Sequence, residues 1–195
     1  MPTRHSDLAA FVRERAVLRG TFTLASGRVS DYYIDGKQIT YSPIGLRLIA
    51  EAIRAELSDL PVDAIGGLEI GAIPIVSAVA MASAQWERAI PAFVVRKEVK
   101  GHGTQKLIEG VLPEHGRIAV VDDVVTTGGS IVQAIEAVEG RGCSVRLAMA
   151  IVDRLSGAAE AMARRGVAYR ALMTIEDLGL SNEPKGRGKL QEASR

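Results

Sequence analysis

Apolar residues in this chain fall into short runs without polar alternation, separated by stretches where they recur every three or four positions. The runs 63–66, 92–95, 118–121, 145–152 and 168–173 are rich in Ile, Val, Leu and Ala, as strands covered on both faces require. Helical spacing occupies 73–82, 131–138 and 157–164 between them. Alternating strands and helices in this order predict an α/β fold with a mostly parallel, twisted sheet flanked by helices. Ahead of the sheet, Leu8, Phe11 and Val12 predict one face of a helix running from Ser6 or Asp7 to Arg19, ended by Gly20. Residues 21–35 read as a hairpin turning at Ser26 and Gly27, and Ser42 followed by Pro43 marks an N-cap and first helical position for a helix through Leu57. These segments predict one domain over 1–180, with a small N-terminal hood (about 1–40) on a core (about 41–180). The stretch 181–195 is polar, contains Gly and is weakly periodic, which predicts a mobile tail.

Composition narrows the class. With 195 residues, 47% hydrophobic and 24% charged, the chain can bury a substantial core. A net charge of +1 gives no basic face for nucleic acid. The single cysteine, Cys143, excludes an intramolecular disulfide and opens an apolar run, so a buried thiol is expected. The N-terminus has no apolar leader core and no run approaches ~18 apolar residues, which argues against export and membrane spanning and for the cytoplasm.

The chemistry concentrates at 117–130. An apolar strand, Ile118 to Val121, ends in two acids, Asp122 and Asp123, at the carboxyl edge where open α/β sheets bind ligands. Val124, Val125, Thr126, Thr127, Gly128, Gly129 and Ser130 follow, offering backbone amides and three hydroxyls at the start of a helix that carries Ile131, Ala134, Ile135 and Val138. A helix start of this kind cradles phosphate. A strand-to-helix turn needs Gly and a hydroxyl cap in any case, but adjacent carboxylates repel each other and need a reason to coexist. Ribose hydroxyls or a hard cation supply one. No Lys follows the glycines, so an ordinary P-loop is disfavoured.

The segment 117–130 resembles the phosphoribosyl-diphosphate signature of the type I phosphoribosyltransferases. That resemblance implies their fold, a 5-phosphate held by the loop 126–130, and Asp122 and Asp123 facing the ribose hydroxyls. A second segment, 96–109, carries Arg96, Lys97, Lys100, Lys106 and His102 with Gly101 and Gly103. Alone it is a solvated basic loop; beside a polyphosphate site, its cations can neutralise a departing diphosphate and its glycines let it close. It resembles the catalytic loop of the orotate phosphoribosyltransferases, in which Arg96, Lys97, Lys100 and His102 find counterparts. The resemblance implies a homodimer in which 96–109 is shared between subunits, with Lys100 and His102 acting on diphosphate.

Three further matches complete it. Residues 22–33 resemble the family's orotate-site segment, which implies Tyr32 and Tyr33 beside the pyrimidine, although strand alternation alone sends neighbouring tyrosines to opposite faces. Ala25 stands where many relatives carry Lys. Arg154 matches an Arg set against the orotate carboxylate, with Thr126 nearby, and its residue-level alternative is a strand-end ion pair. Glu69, Ile70 and Gly71 match the loop that grips diphosphate through backbone amides, where Glu69 replaces a Lys of several relatives and should be magnesium-linked or turned outward. Magnesium is implied as cofactor, held mainly through substrate with no fixed protein ligands.

The implied reaction joins orotate to 5-phosphoribosyl 1-diphosphate, giving orotidine 5-phosphate and diphosphate in de novo pyrimidine (UMP) biosynthesis, with small-molecule substrates as the only partners besides a second subunit. The rival readings are a phosphoribosyltransferase for another nucleobase and a non-catalytic sensor of phosphoribosyl diphosphate. A plain nucleotide-binding Rossmann protein is weakened because no Gly-x-Gly-x-x-Gly turn follows the first parallel strand.

Overall fold

A computed structural model describes residues 4–23, 27, 29–98 and 106–182. Lys100, His102, Ala25 and most of the 181–195 tail lie outside the described residues. The elements, in chain order, are α1 (Ser6–Arg15), β1 (Val17–Thr23), β2 (Val29–Ile34), α2 (Lys37–Thr40), α3 (Pro43–Glu56), β3 (Ala64–Gly66), α4 (Ala72–Ser83), β4 (Phe93–Val95), β5 (Ile108–Gly110), β6 (Arg117–Val125), α5 (Gly129–Glu139), β7 (Ser144–Asp153), α6 (Ala158–Arg164) and β8 (Tyr169–Thr174).

The parallel sheet runs β3-β6-β7-β8. Parallel bridges from Ile65 to Ala92 and from Leu68 to Val95 set β4 beside β3, and β5 pairs antiparallel with β4 at that edge. Side chains of β6 and β7 divide between two cores, as strand alternation requires. Ala119, Val121, Leu147, Met149 and Ile151 join Ile49, Ile53, Ile75 and Val79 of α3 and α4. Ile118, Val120, Ala148 and Ala150 join Ile131, Ile135, Val138 and Met162 of α5 and α6 on the other face. Both faces are therefore dry, which is why these strands read as unbroken apolar runs. Cys143 is buried in the second core, its thiol 3.2 Å from the Pro113 carbonyl oxygen.

The α3 start behaves as its sequence demands: the Ser42 hydroxyl accepts the Gly45 N–H at 3.3 Å and Pro43 takes the first turn. The first helix is shorter than expected. It ends at Arg15, and Val17 to Arg19 instead pair with Ile34 to Tyr32 across the hairpin. Sheet pairing outcompetes the helical propensity of those residues, and the hairpin strands begin four residues earlier than the pattern at 21–35 indicates. β6 is longer than expected: pairing with β7 continues through Val124 to Val152 and Val125 to Asp153, so the two acids lie within the strand rather than beyond its end. The single-turn α2 and the three-residue β5 have too few residues to leave a periodic signal.

Gly67 carries β3 into the site, and its backbone lies directly under the Val121 carbonyl and the Ala72 side chain. A methyl there would collide with main chain that cannot rotate away. Gly67→Ala is expected to lower stability by about 1–3 kcal/mol, measured as a reduced denaturant midpoint; an unchanged midpoint would show that the loop yields freely.

Candidate functional site

Asp122 and Asp123 are the centre of the site. Asp122 is 9% exposed, and its Oδ1 accepts the Asp123 N–H at 3.0 Å, while Asp123 Oδ1 accepts the Val124 N–H at 2.7 Å. Two glycines press against them. A Cβ at Gly71 would stand 2.8 Å from Asp123 Oδ1 and 3.0 Å from Asp122 Oδ1, and one at Gly36 would stand 2.8 Å from Asp123 Oδ2. Gly71 belongs to the loop between β3 and α4, in which the Glu69–Ile70 peptide is cis. Gly36 follows the hood hairpin and begins α2. The hood and the β3–α4 loop thus meet over one pair of carboxylates. Gly36 escaped the sequence reading because its requirement is a long-range contact.

Burial, and after it the negative charge of Asp123, push the Asp122 carboxyl from the ordinary 3.8 up to about 7. Near neutral pH the pair therefore tends to retain a proton. Such a pair gains by accepting hydrogen bonds from a diol or by facing a cation. Among the described residues no group of three or more His, Cys, Asp or Glu converges on a metal position.

The loop after β6 leads straight into α5. Thr126, Thr127, Gly129 and Ser130 are exposed, and Gly128 is the N-cap with φ +83° and no side-chain capping bond. The first amides of α5 are accordingly not taken by a cap. Val125 is buried, and its carbonyl accepts the Arg154 N–H at 2.8 Å, which sets the end of β7 beside this loop.

Arg154 is 9% exposed, with a buried Nε that has no hydrogen-bond partner. Its guanidinium carbon lies 5.1 Å from the Tyr32 ring centroid, a cation–π contact. Among the described residues no ion pair to Arg154 is formed. Asp153, next to it, accepts the Tyr169 hydroxyl at 3.0 Å and the Leu155 N–H at 2.7 Å, holding the turn. Tyr32 is buried and its hydroxyl donates to Asn182 Oδ1 at 3.3 Å; Asn182 Nδ2 donates to the Arg154 carbonyl at 2.6 Å. Asn182 therefore belongs with this cluster, although the polar character of 181–195 gave no sign of it. Tyr33 turns the other way, half exposed, its ring centroid 5.6 Å from that of Phe22.

At the root of the basic segment, Arg96 N–H donates to the Leu107 carbonyl at 2.9 Å and the Lys97 side chain is exposed. The Glu69 carboxylate, 21% exposed, accepts the Lys97 N–H at 3.0 Å.

Residues 35–175 match the phosphoribosyl transferase domain family. The chain is 45% identical over 179 residues to the orotate phosphoribosyltransferase of Nostoc sp., covering 90% of this chain and 85% of that one. It is 40% identical over 181 residues to that of Rhodopirellula baltica, covering 90% and 94%. Among solved structures it resembles Mycobacterium tuberculosis orotate phosphoribosyltransferase in complex with 5-phospho-α-D-ribosyl 1-diphosphate, with a TM-score of 0.77 and 38% identity over 90% of this chain and 99% of that one.

A group whose folded pKa is raised binds its proton more tightly in the native state, so stability falls as pH climbs from 3.8 to about 7. Asp122→Asn, which is neutral throughout, is expected to show a higher denaturant midpoint than the parent at pH 8 and to converge with it near pH 4. Equal midpoints at pH 8 would mean that the buried charge carries no penalty.

Proposed function

The chain belongs to the orotate phosphoribosyltransferase family, and from that membership we propose that it transfers the phosphoribosyl group of 5-phosphoribosyl 1-diphosphate to orotate, giving orotidine 5-phosphate and diphosphate in pyrimidine biosynthesis. The observation that carries the acceptor assignment is Arg154, a buried guanidinium with a partnerless Nε, one strand away from the acid pair. A planar fork suits a carboxylate, which orotate has and purines and uracil lack.

The chemistry asks for orientation more than for a strong base. Orotate arrives as an anion, a ring nitrogen forms the bond to C1 of the ribose, and the C1–O bond breaks with its electron pair leaving on diphosphate. Asp122 and Asp123 accept hydrogen bonds from the ribose hydroxyls and fix C1 in place. Amides and hydroxyls of 126–130 hold the 5-phosphate, and backbone groups of 69–71 hold the diphosphate. Arg96, Lys97, Lys100 and His102 offset the charge that grows on the leaving group. Magnesium, if bound with the diphosphate, would add to that neutralisation. Tyr32 and Arg154 orient the pyrimidine.

The functional unit in this reading is a cytoplasmic homodimer. The homodimer is supported by a groove of about 640 Å³ between α3 and α4, where Leu46, Ala50, Pro74, Ala78, Met81 and Trp86 form a mainly apolar lining beside Arg47, Glu51 and Arg54, with Met81 76% exposed. Sedimentation should give twice the 20.7 kDa chain mass; a monomer at assay concentration would refute it.

The activity is tested by the loss of orotate ultraviolet absorbance with magnesium and phosphoribosyl diphosphate, alongside diphosphate release with adenine, hypoxanthine and uracil. Orotate alone should react, and turnover of another base, or binding without turnover, would overturn the assignment. Arg154→Ala should lower kcat/KM for orotate by about 10- to 100-fold, the loss of one charged hydrogen-bonding group.

A further inference from the structure

Glu69 sits in the loop over the acid pair, yet its side chain reaches sideways to the start of the basic segment. Oε1 accepts the Lys97 N–H at 3.0 Å and Oε2 lies 3.8 Å from an Arg96 guanidinium nitrogen. The main chains are already joined there: Glu69 N–H donates to the Val95 carbonyl at 2.8 Å, and Val95 N–H returns to the Gly67 carbonyl at 2.8 Å. From the other side, Gln133 of α5 reaches the Lys97 carbonyl at 3.5 Å. The Lys97 peptide is thus where the 67–71 loop, the basic segment and the helix after the phosphate loop meet. Arg96 also lies 4.0 Å from a Glu109 carboxylate oxygen, and its buried Nε has no hydrogen-bond partner, so its guanidinium is held between two acids at the base of the basic segment.

We propose that Glu69 is a positioning residue whose carboxylate holds the Lys97 main chain and the Arg96 guanidinium against the diphosphate loop. This rests on the reading of 69–71 and 96–97 as diphosphate contacts. An unpaired acid beside a polyanion would repel it, and Glu69 would then be a competitor for the site. Its charge is instead offset by Arg96 and by an amide donor, and its side chain is only 21% exposed, so the alignment it imposes outweighs the repulsion. The acid thereby has a use at a position where a cation would contact diphosphate directly.

The test compares the parent with Glu69→Ala, which loses the acceptor, and Glu69→Gln, which keeps one for the Lys97 N–H. Calorimetry reads the binding of magnesium diphosphate, and steady-state assays read kcat and KM for phosphoribosyl diphosphate. Glu69→Ala should weaken diphosphate binding and raise KM by about tenfold with kcat within about threefold, and Glu69→Gln should recover most of the loss. Binding by Glu69→Ala that is unchanged or tighter overturns the proposal, as does equal weakening by both variants. A parent protein that consumes no orotate would sink the activity proposed above while leaving the diphosphate-binding comparison readable.

Discussion

Two carboxylates on consecutive residues of a central strand, one of them buried, form an arrangement that a fold does not adopt without compensation. Asp122 and Asp123 are enclosed from above by the backbones of Gly36 and Gly71, neither of which leaves room for a side chain. The rest of the site follows from that enclosure. The β3–α4 loop must come down onto β6, so Gly67 fits beneath the Val121 carbonyl. The hood must fold back over the sheet, and its Leu8, Ala9, Val12 and Tyr32 share one core with Ile49, Ile53 and Leu147. The energy needed to keep two acids together comes from this dry packing on both faces of β6 and β7. The raised proton affinity of Asp122 is the residue of that conflict.

Neighbouring strands then separate two tasks. β6 delivers the acids and the loop into α5, where the N-cap is a left-handed Gly128 and the helix amides carry no side-chain cap. β7 ends one strand over, and the Arg154 N–H to Val125 carbonyl bond ties its turn to the loop 126–130. Asp153 stiffens that turn through Leu155 and Tyr169, so Arg154 is presented on a fixed backbone against Tyr32. Donor and acceptor substrates can be aligned by two adjacent parallel strands without a moving catalytic base, which suits a displacement whose nucleophile arrives already ionised.

Much of this was legible because it is local. The apolar run of β6 followed by two acids, the Ser42-Pro43 helix start and the buried stripe Ile131, Ala134, Ile135 and Val138 all carry their signals within a few residues. What escaped depends on partners far away in sequence. Residues 17–19 look helical until Tyr32 to Ile34 arrive to pair with them. Strand β5 is fixed by its pairing with β4, from Phe93 with Gly110 to Val95 with Ile108. Gly36 matters through Asp123, Asn182 through Tyr32 and Arg154, and Glu69 through Arg96 and Lys97, and none of these contacts has a local pattern. Adjacent tyrosines were bound to diverge by strand geometry, and Tyr32 went inward while Tyr33 stayed half exposed.

The central claim is that the acid pair on β6 holds the ribose of phosphoribosyl diphosphate. Calorimetric titration of magnesium phosphoribosyl diphosphate into the parent protein and into an Asp122→Asn, Asp123→Asn double variant tests it most directly, because binding is read without reference to any acceptor. The account predicts affinity about 10- to 100-fold weaker in the double variant, as expected for lost hydrogen bonds to charged groups. Equal affinity would place the ribose elsewhere and contradict it.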